Sequence, residues 1–235
     1  MIRRLPSPPG AERWVAVDKP AGTIVHGAGG LLDELREAFG SEATPVHRLD
    51  RIATGVLLVA RDAEALRQAH AAWPTDIEKL YVVRTRGVPS PLAGVIEAPL
   101  LEHRSGRPEL LRRALRAAYG PSRAGQLLAG RRVMSIPPPP ARGRTAAHPA
   151  GRPARTEYTV REEAGASALV EVRPRQGRMH QVRVHLASIG TPILGDPLYD
   201  SEPSGEPPLL HALRLVWNRP PGMPEGTVWR WDAPL

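Results

Sequence analysis

Cysteine is absent from all 235 residues, so neither a disulfide nor a thiolate metal site can form. That absence suits a reducing, cytoplasmic setting. Lysine is almost missing: of 32 basic residues only Lys19 and Lys79 are not arginine. Aromatic side chains make up 4% of the chain, with a single phenylalanine. No apolar stretch is long enough to span a bilayer, and Met1-Ile2-Arg3-Arg4-Leu5-Pro6 has no apolar run behind its arginines, which excludes a secretory signal. These absences describe a soluble chain without a membrane partner, long enough to bury a sizeable core without a covalent staple.

What the chain does have is positive charge. The formal net charge of +8 favours a polyanionic partner such as nucleic acid. Its distribution is uneven: Arg104 to Arg155 holds twelve arginines against the single acid Glu109, net +11, and the remainder holds 20 bases against 23 acids, net −3. From Arg104 to Gly151 the sequence is an Arg, Ala, Gly and Pro mixture, with the run Pro137-Pro138-Pro139-Pro140 suiting extended polyproline geometry. It reads as an insertion, in which Glu109 to Ala118 places Leu111, Leu115 and Ala118 opposite Arg112, Arg113 and Arg116 as a short basic helix. Either the insertion is a tolerated surface excursion, since long loops cost little closure entropy, or it is an auxiliary arm for RNA, since arginine forks suit phosphate.

Taken in order, Trp14 to Asp18 reads as a strand, Lys19-Pro20-Ala21-Gly22 as a turn and Thr23 to His26 as a second strand, a hairpin-like opening. Leu31 to Phe39 is a one-sided helix stopped by Gly40; Asp62 caps another over Ala63 to Ala72, ended by Trp73-Pro74. Lys79 to Gly87 is a strand whose period of two sends Lys79, Tyr81 and Val83 to one face. Arg155 to Val160 and Ala168 to Val172 are strands, followed by a turn through Gly177. A helical period then puts Val182, Leu186 and Ile189 on one face and His180, Arg183 and Ala187 on an adjoining one, so Arg183 is expected to point away from the deepest core. Thr191 to Tyr199 is a loop suited to lining a pocket, and Leu209 to Leu215 gives a last strand. The spacing of His180 and His185 does not fit one helical face, and no His-Glu-x-x-His is present, so no metal is expected.

Chemistry concentrates in Val46 to Ala60. Asp50 sits between Arg48 and Arg51 in an irregular segment that runs straight into the apolar strand Val56 to Ala60. Nearby positive charge favours the ionised form of a carboxylate, which can then act as nucleophile or base. The same tetrapeptide taken alone also fits a surface ion-pair cluster of little energetic weight. His47-Arg48-Leu49-Asp50 followed by Thr54-Gly55-Val56-Leu57-Leu58 resembles the catalytic motif of the RluA-type pseudouridine synthases. A second block, Gly177 to Ala187 with Gly190-Thr191-Pro192-Ile193-Leu194-Gly195-Asp196 and Tyr199, is similar to that family's long C-terminal motif. Lys19-Pro20-Ala21-Gly22, Lys79-Leu80-Tyr81 and Leu210-His211-Ala212 resemble shorter family motifs, and the similarity covers Trp14 to about Leu100 and Gly151 to Leu215. Ala53-Thr54-Gly55, Met179 and the insertion depart from the usual pattern.

The resemblance implies an α+β fold: one catalytic domain over residues 1–235 with an insertion at about 104–151, its mixed, largely antiparallel sheet split around a central cleft with flanking helices. No separate N-terminal RNA module of the S4 type fits before Trp14. It also implies isomerisation of uridine to pseudouridine in ribosomal or transfer RNA by a cytoplasmic monomer that needs no cofactor. By the same resemblance Asp50 is the nucleophile, toward the ribose or the uracil ring, and Tyr81 stacks on the flipped base. Arg183 pairs with Asp50, and Arg48 fills the space the base leaves. His47, Lys79, Arg178, His180 and Gln181 contact substrate, and Ile193 and Leu194 form an apolar wall. Two other readings stay open: a non-catalytic RNA-binding or assembly factor on the same scaffold, and a hydrolase using Asp50 with His47 or His180 as base.

Overall fold

The computed structural model describes residues 2–27, 29–103, 133–135, 151–202 and 205–235. The basic helix and the polyproline run expected in the arginine-rich insertion lie outside these residues.

Ten strands form one sheet. In chain order the elements are β1 (Arg3–Arg4), β2 (Trp14–Lys19), α1 (Leu32–Phe39), β3 (Thr44–Pro45), β4 (Thr54–Ala60), α2 (Ala63–Ala72), β5 (Ile77–Arg86) and β6 (Ala93–Glu97). They continue with β7 (Leu101–His103), β8 (Val133–Ser135), β9 (Arg155–Ala164), β10 (Ser167–Pro174), α3 (Gln181–Ser188), β11 (Leu210–Trp217) and β12 (Trp229–Asp232). Strand order across the sheet is β1-β2-β4-β11-β5-β10-β9-β6, with β3 added on β4 and β12 on β11, while β7 and β8 pair separately. Every pairing is antiparallel except β4 with β11, which run parallel.

Both faces of the sheet are covered, which is why β4 reads as a continuous apolar run rather than an alternating one. Leu57 and Val59 join a core with Val17, Val83, Val172, Leu35 of α1 and Leu186 of α3. Val56 and Leu58 point to the opposite core, built on Ala65 and Ala69 of α2 and on Trp14, Trp217, Trp229 and Trp231. The indoles of Trp14, Trp217 and Trp229 meet edge-on or tilted, with centroids 5.2 to 5.8 Å apart, the arrangement that ring quadrupoles favour. Asp62 caps α2 by accepting from the Ala65 amide at 2.8 Å, and α1 stops at Gly40, whose φ is +110°.

The parallel contact between β4 and β11 is short, with only Thr54 opposite His211 and Gly55 opposite Ala212. Beyond it the strands part. Farther along, β4 takes β3 as its neighbour at Val59 and Ala60, and β11 takes β12 from Arg214 to Trp217. Gly55 makes this pinch possible. Its φ is +100°, and a Cβ there would lie 2.3 Å from the Ala212 carbonyl oxygen, so any side chain would meet strain and a backbone clash together.

Three expectations need correction. Thr23 to His26 forms no strand, because Asp18 and Val17 of β2 are already paired with β1 on one side and β4 on the other, leaving no edge for a hairpin partner. Leu210 to Trp217 is not the last strand; Trp229–Asp232 adds β12 to it. On α3, Val182 and Leu186 are in the core but Ile189 is 39% exposed at the helix end.

Candidate active site

Asp50 lies on the irregular segment between β3 and β4, and several bonds fix that segment. The Val46 amide donates to the Leu58 carbonyl at 2.8 Å, and the Leu58 amide donates to His47 Nε2 at 3.1 Å. Leu49 is buried in the core, and the Ala53 amide closes a turn on the Asp50 carbonyl at 3.0 Å. A second turn buttresses the first. Lys19, fully buried, donates to the carbonyls of Ala53 at 2.7 Å and Pro20 at 2.9 Å. Burial pushes its pKa down to about 8 against the opposing pull of the Asp50 charge. The Gly22 amide reaches the Arg51 carbonyl and Arg51 Nε returns to the Gly22 carbonyl, both at 2.8 Å. Arg51 is thus a staple between turns, and Arg48 is exposed at the cleft mouth. The flanking arginines are not the partners of Asp50.

Its partner arrives from α3. Arg183 Nη1 stands 3.3 Å from Asp50 Oδ2, while its Nε and Nη2 donate to the two carboxylate oxygens of Asp196 at 2.7 and 2.8 Å. Asp196 Oδ1 also accepts from the amides of Leu198 at 2.8 Å and Tyr199 at 3.2 Å, and the guanidinium lies over the Tyr199 ring, 5.0 Å from its centroid. Burial alone would lower the arginine pKa, but the Asp196 bonds and the Asp50 charge raise it on balance. Arg183 is 3% exposed, not turned away from the interior as the helical period implied, because the loop carrying Asp196 closes over that face of α3.

His180 precedes α3 in the left-handed region, at φ +54°. Its Nδ1 is 2.8 Å from the Tyr199 hydroxyl and its Nε2 is 4.0 Å from Asp50. Burial lowers its pKa to about 4, so the ring is neutral at pH 7. Tyr81 on β5 is 8% exposed, and burial together with the Asp50 charge raises its phenol pKa, keeping it protonated. Two residues earlier on the same face, Lys79 lies 5.1 Å from the centroid of the Trp73 ring, which in turn leans on His47 at 5.0 Å.

These side chains line one cleft of about 400 Å³, which holds Asp50, Tyr81, Lys79, His47, Arg48, Arg178, His180 and Gln181. The Gln181 amide is committed to the protein, donating to the Arg155 carbonyl and Thr156 Oγ1 at 3.0 Å each and accepting from the Arg178 amide at 3.1 Å. Ile193 and Leu194 do not line this cleft. Ile193 is fully buried in the core opposite Thr85, and half-buried Leu194 is tied to β5 by its amide, bonded to the Arg84 carbonyl. Sequence reasoning gave no role to Asp196, Tyr199, Trp73 or Lys19. Asp196 and Tyr199 stood only as positions of the C-terminal motif, and Lys19 as one of two lysines beside a glycine-closed turn. Among the described residues no cluster of three His, Cys, Asp or Glu side chains is placed to hold a metal ion.

Residues 13–188 match the family described as RNA pseudouridylate synthase. The chain belongs to that family. It is of the RluA type: the dual-specificity RNA pseudouridine synthase RluA of Escherichia coli strain K12 is 31% identical over 221 residues, covering 89% of this chain and 84% of the relative. An RNA pseudouridine synthase of Chloroflexus aurantiacus is 35% identical over 195 residues, 77% of this chain and 50% of that one; this chain therefore spans about half that relative's length. The structure of human RNA pseudouridylate synthase domain containing 4 superposes with a TM-score of 0.71 at 25% identity, covering 95% of this chain and 86% of the other. For this pseudouridylate synthase family member, no helix among the described residues is long and apolar enough to cross a membrane.

Proposed function

We propose that the protein is an RNA pseudouridine synthase, acting on uridine in ribosomal RNA, transfer RNA or both, with Asp50 as its nucleophile. The observation that carries the reading is Asp50 in a cleft opposite Tyr81, held by an arginine that is itself held by a buried aspartate. In the reaction the bond from the base nitrogen to the ribose breaks, the uracil turns, and a carbon–carbon bond from C5 replaces it. The C5 proton leaves and the nitrogen gains one, so the product has the mass of the substrate. Asp50 attacks either the ribose or the uracil ring, and Arg183 orients it through a charge-assisted hydrogen bond. A base in a helix must leave its stack to be reached; Tyr81 stacks on it and Arg48, at the mouth, fills the gap. Arg178, His180 and His47 shape the cleft around the nucleotide. The whole is read as a single catalytic domain with an insertion at about 104–151, working as a cytoplasmic monomer, a setting the lack of cysteine suits.

The test is pseudouridine mapping by chemical tagging of total RNA with and without the gene, repeated with Asp50→Asn. Loss of specific sites with both the deletion and the variant is expected. Appreciable turnover by folded Asp50→Asn would sink the nucleophile assignment.

A further inference from the structure

Among the described residues the buried cations have acids beside them, with one exception. Arg183 pairs with Asp196 and Asp50 and Lys19 lies in the field of Asp50, while half-buried Arg86 pairs with Asp200. Lys79 is 8% exposed, and among the described residues no carboxylate pairs with it. Its contacts are the Gln176 carbonyl at 3.3 Å and the face of Trp73. The turn through Gly177 packs over it, at a distance where a Cβ would make ordinary contact with Nζ at 3.5 Å and with the Trp73 indole nitrogen at 3.7 Å.

An ammonium carries three donors, and one carbonyl with one π face leaves donor capacity facing the cleft that Lys79 lines. Burying a charge without a counter-charge is costly. Burial accordingly pushes its pKa down to about 8, which still leaves most of it charged at pH 7. The missing counter-charge is therefore one that arrives with the substrate. Arg178 and Arg48 line the same cleft, and the charge of Asp50 is already met by Arg183. The lining of the cleft thus carries more positive groups than its one carboxylate offsets. Lys79 and Tyr81 are one strand repeat apart on the same face, roughly 7 Å, which is about the step from a base to a neighbouring backbone linkage.

We propose that Lys79 binds a backbone phosphate adjacent to the target uridine, with the Gln176 carbonyl and Trp73 fixing the ammonium where that phosphate docks. The inference rests on the RNA reading above and names the group that this part of the cleft takes. Trp73 acts here as a positioning residue for the cation.

The experiment measures binding of a short fluorescein-labelled single-stranded RNA with a central uridine by anisotropy, over a range of salt, for the wild type, Lys79→Met and Lys79→Gln. Each phosphate contact on a single strand contributes about 0.7 to the slope of log affinity against log salt. Both variants should lose about that much slope and bind roughly tenfold more weakly at low salt. A second arm replaces the phosphates flanking the uridine by neutral methylphosphonates, which should weaken the wild type to the level of the variants and leave the variants unchanged. Unchanged slopes in folded variants, or a wild type indifferent to the neutral linkages, overturn the assignment. The second arm decides even if a variant fails to fold. A wild type that binds no RNA at all overturns the RNA reading itself, a result distinct from the other two.

Discussion

Replacing Asp196 by asparagine tests whether the arginine of the site is held from behind. Both Asp196 oxygens accept and neither faces an acceptor: Oδ2 meets Arg183 Nε, and Oδ1 meets Arg183 Nη2 with the amides of Leu198 and Tyr199. An asparagine would keep its oxygen toward the three donors and turn its NH2 against Arg183 Nε–H. The side chains of Arg183 and Asp196 are 4% and 0% exposed, so water cannot repair the loss. Breaking a buried pair by removing one partner costs about 3–5 kcal/mol. Arg183 keeps Asp50 as a second counter-charge, which argues for the lower end, about 3 kcal/mol. For a chain of this size that corresponds to a fall in Tm of roughly 6–12 °C. The assay is urea and thermal unfolding of Asp196→Asn, Arg183→Met and the double variant. The double should be destabilised less than the sum of the singles, because removing the arginine also removes the uncompensated charge. Turnover of Asp196→Asn should fall while RNA affinity holds, since Asp196 does not line the cleft. Additive losses, or a Tm within a degree or two of wild type, would refute the reasoning.

Two further outcomes follow from the same geometry. Gly55→Ala should lower stability by more than the roughly 1–2 kcal/mol of a left-handed residue alone, because its Cβ also meets the Ala212 carbonyl; a wild-type urea midpoint and single-turnover rate would contradict this. Burial pushes His47 down to about 3 and His180 to about 4, while the unfolded rings titrate near 6.5. Unfolding then takes up protons below about pH 6.5, so this stability is present above that pH and is lost as pH falls toward 4, at about 1.4 kcal/mol per pH unit for each ring. Urea unfolding between pH 7.5 and 4.5 measures it, and His47→Gln, which keeps an acceptor near the Leu58 amide, should flatten the dependence; an identical slope would rule out His47 as a source.

Local signals were legible. The apolar run of β4, the Asp62 cap and the glycine stop of α1 each announced themselves within a few residues, because one helical turn or one strand repeat decides them. The alternation Trp229-Arg230-Trp231-Asp232 also carried a strand signal, but four residues are too few to stand out without the partner β11. What could not be read was which cation meets Asp50. Arg48 and Arg51 flank Asp50 in sequence, yet both are exposed and Arg51 is bonded to Gly22, while the arginine that pairs lies 133 residues on. Family resemblance supplied Arg183; neither periodicity nor charge pattern did. Asp196 stood in the same motif without a role, since a lone acid in a glycine- and proline-bounded loop has no period to show what it meets. Ile193 and Leu194 lie off the cleft for a related reason: an apolar pair lines a pocket or packs elsewhere equally well by sequence, and tertiary packing put Ile193 in the core and left Leu194 half-buried beside β5.

The position of the site follows from the topology. Asp50 ends the segment that feeds β4, and Tyr81 lies on β5, the neighbour of β11 on its other side. A sheet that ran unbroken from β4 to β11 would fill this space with ladder bonds. Because the two strands pair only at Thr54–Gly55 with His211–Ala212 and then part, the segment before β4 rises clear of the sheet and presents its carboxylate toward Tyr81. Lys19 and the Arg51–Gly22 pair tie that segment down from β2, and α3 closes it from the other side with Arg183. Asp50 is thus supported from β2 and the turn after it on one side and from α3 on the other, through bonds to backbone carbonyls and a buried arginine.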